Sequence, residues 1–166
     1  MLCSEIQKSA IIAALLIALA IVARAETISG KVVAITDGDT ITILDANKQQ
    51  HKIRLAGIDA PERGQAFGQA AKRKLSELVF NRQVTVEFTK RDRWKRIVGL
   101  VSLDGRDINE AMIRAGFAWF FKRYERELDA GRRQSYARAE AVAREGKRGL
   151  WNDPGAVAPW DYRRRS

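Results

Sequence analysis

The chain has 166 residues, with 30 lysines and arginines against 20 aspartates and glutamates, a net charge of +10, one histidine and one cysteine. That length suits a single domain with a real hydrophobic core. One cysteine excludes an internal disulfide framework, and with a single histidine it also excludes a zinc site of the common nitrogen–sulfur kind.

The first element in chain order is a leader. Lys8 precedes an unbroken apolar run over residues 11–22, closed by Ala23, Arg24 and Ala25. The run is too short to cross a hydrocarbon layer of roughly 30 Å as a helix. A short apolar core with a small-x-small end reads as a secretory signal over residues 1–25, cut after Ala25. Retention as an N-terminal anchor is the alternative, since Glu5 makes the leading region less basic than usual. Cleavage would remove Lys8, Arg24, Glu5 and Cys3 and leave a net charge of +9. The expected location is secreted or periplasmic, and the exported chain relies on its core, or on a bound ion, rather than on disulfides. Such a charge draws polyanions over long range. Nucleic acid is the leading candidate partner and an anionic cell surface the other.

Five strands follow. Residues 27–35 are β-rich and apolar. Ile41 and Ile43 come after the turn "TDGDT", 36–40. In "HKIRLAGI", 51–58, Ile53 and Leu55 take one face and Lys52 and Arg54 the other. Val84, Val86 and Phe88 alternate with Thr85, Glu87 and Thr89, and 97–103 is mostly apolar. Three helices are expected. The first carries Phe67, Ala70, Ala71, Leu75, Leu78 and Val79 on one face. The second runs from a cap at Asp107 to a stop at Gly116. The third runs from about Glu125 to Glu145, with Leu128, Ser135, Ala139, Val142 and Ala143 inward. One helix between the third and fourth strands of a five-stranded set suits an OB-type barrel, mainly β with α, over residues 26–151. Residues 152–166, ending in "RRRS", read as a loosely held basic tail; Trp160 and Tyr162 beside its arginines leave a grip on nucleic acid as the other reading.

The ionisable groups that carry chemistry lie in three stretches: "DGDT" at 37–40, "IRLAGIDAPE" at 53–62 and "DRWKR" at 92–96. Asp59 and Glu62 flank Ala60 and Pro61, and proline stiffens the loop that separates the two carboxylates. The pattern resembles the staphylococcal nuclease (thermonuclease) family. The resemblance rests on "DGDT", "RLAGIDAPE" at 54–62, Asp92 with Arg96, "INEAMIRAGFA" at 108–118 and "RGLW" at 148–151, in that order. It implies an OB-fold, Ca²⁺-dependent hydrolysis of phosphodiesters in DNA and RNA alike, and cleavage of the P–O5′ bond to leave 3′-phosphate ends.

The chemistry of the residues agrees with that resemblance. Ca²⁺ takes oxygen ligands. Asp39 and Asp59 supply carboxylates, the backbone carbonyl of Ala60 is a candidate third donor, and Asp37 is a turn or outer residue. Glu62 is placed to take a proton from the attacking water or to orient it. Arg54 and Arg96 can fork onto phosphate oxygens. Trp94, Lys95 and Tyr124 are candidate substrate contacts. Here the chain departs from the family, which often has tyrosine at 94, glycine at 95 and threonine at 60. Trp94 offers stacking surface for a base, and Lys95 would be strained if its position needs a positive φ. His51 reads as structural. A serine–histidine–aspartate hydrolase finds no candidate serine in these stretches. The partner expected is single-stranded or breathing DNA or RNA, and nothing in the sequence demands more than a monomer. The rival readings are a non-catalytic single-strand-binding barrel and a basic protein that docks on envelope polyanions.

Overall fold

The structure, a computed structural model, describes residues 25–165. Residues 1–24 of the expected signal, with Cys3 and Lys8, lie outside the described residues. Five strands build the barrel: β1 (Glu26–Asp37), β2 (Thr40–Leu44), β3 (Gln50–Leu55), β5 (Gln83–Arg91) and β6 (Ile97–Leu103). Their order is β3-β2-β1-β5-β6, and β3 pairs with β6 in parallel to close the ring. β1 serves two neighbours, β5 along its first half and β2 along its second, and register breaks after Val32 and Ile35 mark where it irregularly turns. The alternation seen in the sequence becomes the interior. Val32, Ile41, Ile43, Ile53, Leu55, Val84, Val86, Ile97 and Val101 are all buried.

The first helix, α1 (Gly68–Val79), sits between β3 and β5 in sequence and buries Ala71, Leu75 and Val79 in the core. α2 (Ile108–Arg114) starts at Asp107, whose side chain accepts from Glu110 N as expected of a cap. From α2, the fully buried Asn109 donates to Ala56 O and Gly99 O and accepts from Val101 N, which fixes this helix to the barrel rim. The third helix is shorter than expected. α3 covers Ala130–Glu145, and a separate 3-10 turn takes Lys122–Glu127. Leu128 is extended, and Asp129 caps α3 by accepting from Arg132 N, so the chain restarts there instead of continuing. Tyr136 and Glu140 join Ala139 and Ala143 on its buried face.

Three short strands complete the described set. β7 (Arg106–Asp107) extends the sheet edge. β4 (Ile58–Asp59) and β8 (Trp119–Phe120) form a two-stranded ribbon outside the barrel, and Glu140 of α3 accepts from Phe120 N to hold it. Residues beyond 152 are not a loose tail. Ala158 and Pro159 are buried, and Pro159–Arg165 forms a short helix, α4. Among the described residues no helix is long and apolar enough to cross a membrane.

Candidate functional site

The β1–β2 hairpin carries the first acidic pair. Asp37 pairs across to Thr40, and Gly38 and Asp39 make the turn. Gly38 is needed for space, since a Cβ there would stand 2.6 Å from the Cβ of Ala71 and 2.7 Å from that of Ala60. The turn therefore presses onto α1 and onto the loop after β4. Asp39 is buried and held on every side. Its backbone carbonyl accepts from Leu55 N at 2.8 Å, its Oδ1 accepts from Thr40 Oγ1 at 3.0 Å, and its Oδ2 accepts from Ala60 N at 2.9 Å. Asp37 Oδ1 accepts from Asp39 N at 3.1 Å. Burial and the neighbouring Asp39 carboxylate push the Asp37 carboxyl up to about 6.

Arg54 lies opposite Thr40 on β3. Its side chain is 15% exposed, so it is not a solvent-face cation. One terminal nitrogen donates to Leu55 O and Ile58 O, both at 2.9 Å. The other lies 3.0 Å from Asp59 Oδ1 and 3.2 Å from Asp39 Oδ2. Asp59, at the end of the β4–β8 ribbon, is 1% exposed. Burial pushes its carboxyl up, while the guanidinium groups of Arg163 and Arg54 pull against that.

Glu62 follows the stiff Ala60–Pro61 step. Gln65 ties its backbone at both ends: Gln65 Oε1 accepts from Glu62 N, and Gln65 N donates to Glu62 O. Gly68 at the start of α1 permits this close passage, because a Cβ there would fall 1.9 Å from Glu62 O. The side chain of Glu62 remains 38% exposed.

Arg96 comes from the loop between β5 and β6. Asp92 organises that loop by accepting from Trp94 N and Arg96 N at 2.9 Å each, and from Arg96 Nε at 2.7 Å. Burial pushes the Asp92 carboxyl up, but the bonds from Arg96 and Trp94 outweigh it and hold the carboxyl below its usual range. The pair engages Nε of Arg96, not the terminal nitrogens that fork onto a phosphate. Trp94 is 61% exposed, with Arg93 4.0 Å and Arg96 5.0 Å from its ring centre. Lys95 adopts φ 63°, so lysine occupies a left-handed position here. Tyr124, in the 3-10 turn, is exposed, with its ring 5.0 Å from Phe121 and Lys90 5.5 Å above it.

Asp39, Arg54, Asp59, Ala60, Glu62, Trp94, Arg96 and Tyr124 line one groove of about 950 Å³. Lys95 stands apart, exposed on the hairpin loop and not among the lining residues. His51 bonds Asp45 Oδ2 at 2.8 Å, far along β3, in a structural pair. The donor set of the acidic corner is oxygen only. Among the described residues no three histidine, cysteine, aspartate or glutamate side chains cluster as metal ligands would, so an ion between Asp39 and Asp59 would complete its shell with backbone, water or substrate oxygens. Burial, and after it the Asp39 carboxylate, disfavour the charged form of Asp37, and a cation at this corner would offset both, so the oxygen donors fit one.

Among the groove's lining residues, Arg163 was not singled out by the sequence although it bonds the candidate site directly. Arg163 of α4 donates to Asp59 Oδ2 at 2.7 Å, to Asp59 Oδ1 at 3.2 Å and to Glu62 Oε1 at 2.6 Å. In the sequence it is one of three successive arginines. Its helical spacing from Trp160 is the only signal that could have singled it out.

Comparison with known proteins places this arrangement. The family described as "Staphylococcal nuclease homologue" matches residues 52–153. A micrococcal nuclease of Shigella flexneri is 42% identical over 146 residues, covering 82% of this chain and 81% of that protein. An uncharacterized endonuclease of Escherichia coli is 41% identical over 139 residues, covering 83% and 86%. A probable staphylococcal-like nuclease of Oryza sativa is 34% identical over 116 residues, 70% of this chain but only 33% of that longer protein.

Proposed function

The chain belongs to the staphylococcal nuclease family, and from that premise we propose that it is an exported, Ca²⁺-dependent nuclease that hydrolyses phosphodiester bonds in DNA and RNA and leaves 3′-phosphate ends. The observation that carries the reading is the convergence of Arg54, Asp39 and Asp59 at a groove whose other walls hold Glu62 and Arg96.

Asp39, Asp59 and the Ala60 carbonyl are the groups that would hold the cation, which when bound would polarise the phosphate and neutralise charge developing on it. Arg54 approaches from the barrel side and Arg96 from the hairpin. Both brace the phosphoryl oxygens, and their contribution is greatest where the charge is greatest, in the transition state. Glu62 accepts a proton from the attacking water or aims it at phosphorus. Trp94 and Tyr124 offer ring faces to unstacked bases, which favours a single-stranded or breathing substrate. The net charge of +10 supports a polyanionic substrate. The apolar run and small-residue end within residues 1–25 support export to the periplasm or beyond. The chain acts as a monomer in this reading.

The test incubates the chain from Glu26 onward with denatured DNA and with RNA, in Ca²⁺ or in a chelator, and maps the ends produced. Cutting of both substrates only in Ca²⁺, with phosphate left on the 3′ side, is the expected result. Salt-sensitive binding with no cutting under any divalent ion would overturn the enzyme reading and leave a single-strand-binding barrel.

A further inference from the structure

α4 lies beyond residue 153, where the match to the family ends. It is nevertheless fastened over the groove. Gln65 Nε2 donates to Val157 O at 2.6 Å just before it, and the ring of Trp160 stacks on Phe121 at 5.3 Å and 7° while meeting Trp119 edge-on at 5.6 Å. From this footing Arg163 reaches inward, and its three hydrogen bonds all end on Asp59 and Glu62.

The chemistry of these partners sets up a competition. A guanidinium forked across a carboxylate occupies both of its oxygens. Asp59 Oδ2 is the oxygen that Arg54 leaves open, and Arg163 takes it at 2.7 Å. A cation coordinated by Asp59 needs an oxygen of the same carboxylate, and an attacking water needs Glu62. A cation on Asp59 places a second positive charge beside the Arg163 guanidinium, and repulsion between the two sets them in competition for these carboxylates.

We propose that α4 is an autoinhibitory strap: Arg163 stands in for the divalent cation on Asp59 and Glu62, and the site becomes loaded only when that side chain lets go. This rests on the proposed Ca²⁺-dependent reading of the site. The strap itself stays docked through Val157 and Trp160, so the moving part is one side chain. Arg163 is suited to this because its side chain is 43% exposed and its bonds are to carboxylates, with none to backbone carbonyls. Released, it swings into solvent at the groove rim.

The test measures Ca²⁺ affinity by isothermal titration calorimetry, with no substrate present, for the full chain, for Arg163→Gln and for Arg164→Gln. Arg164 pairs with Asp161 in the same helix and carries the same charge, so its variant reports the general effect of losing one cation nearby. Because both arginines are exposed, neither change threatens the fold, and thermal melts in chelator check this. The strap predicts Ca²⁺ binding about tenfold tighter in Arg163→Gln, the scale set by one charge-assisted hydrogen bond, with a smaller change in Arg164→Gln. Equal affinity in Arg163→Gln and the full chain, or equal gains in both variants, overturns the strap and leaves the nuclease reading intact. Weaker binding in Arg163→Gln also overturns it, because Arg163 would then be supporting the ion site. If none of the three proteins binds Ca²⁺, the Ca²⁺ reading fails and the strap fails with it.

Discussion

Two arginines reach the same carboxylate by different routes. Arg54 rises from β3 inside the barrel wall, with two backbone carbonyls fixing one nitrogen before the other meets Asp59 and Asp39. Arg163 hangs from a short helix, α4, and among the described residues its hydrogen bonds go only to carboxylates. The first is 15% exposed and the second 43%. The difference teaches what a charge is for. An arginine whose bonds include backbone carbonyls keeps its place when its carboxylate partners change charge or take a ligand. An arginine bound only to those carboxylates has a position that depends on them.

The comparison can be broken most severely at the chemistry both arginines surround. Glu62→Gln removes the carboxylate proposed to accept a proton from the attacking water or to orient it, while keeping size and the Gln65 contacts of the backbone. Turnover of denatured DNA in Ca²⁺ should fall by about 10²–10⁴-fold, with the melting temperature nearly unchanged. Retained turnover would remove Glu62 from the reaction.

Next in size is the barrel arginine. Arg54→Met leaves two buried carboxylates, Asp39 and Asp59, without their fixed partner. It should cost about 3 kcal/mol of folding stability in chelator, read from urea midpoints, besides abolishing turnover. Arg163→Gln should cost less in the same assay, since Arg163 is itself 43% exposed and the buried Asp59 keeps its pair with Arg54. Equal losses would mean that the two arginines do not differ as their exposures indicate.

A third measurement concerns pH. The unfolded chain ionises Asp37 near 3.8, and the folded chain near 6. Between those values the folded state holds a proton that the unfolded state has released. The contribution of Asp37 to stability is therefore present below about 3.8 and is lost as pH rises through about 6. Asp37→Asn keeps an acceptor for Asp39 N and never ionises. It should stabilise the ion-free fold by about 1–3 kcal/mol at pH 7 and not at pH 3.5. A gain of the same size at both pH values would trace the effect to something other than charge. The smallest effect is expected at the hairpin. Lys95 sits at φ 63°, so Lys95→Gly should raise stability by about 1 kcal/mol, seen as a small shift in urea midpoint, with Trp94 and Arg96 undisturbed.

Much of the barrel was legible because its code is local. Alternating apolar residues such as Ile53 and Leu55, or Val84 and Val86, have one face to bury, and the structure buries it. The α1 and α2 faces followed from helical spacing, and Asp107 from its capping position. The third helix was misread at its start because residues 122–129 carry helix-compatible composition. Only the extended Leu128 and the cap at Asp129 divide them from α3. The ribbon of β4 and β8 was invisible, since two residues on each side make no periodicity.

The sequence by itself determined the strand and helix alternation, the stiff Asp59–Glu62 loop and the three ionisable stretches at 37–40, 53–62 and 92–96. Each of these depends on residue type and short-range spacing, and the family motifs hold them in order. Only the tertiary structure decided that Gly38 is glycine because Ala60 and Ala71 leave no room for a Cβ, and that Arg54 faces Asp59 rather than solvent. It alone chose Arg163 from three neighbouring arginines and set it on carboxylates about 100 residues away in the chain. Those outcomes depend on which surfaces meet when the barrel closes and on where the last helix finds an aromatic footing, and neither is written in the spacing of any one segment.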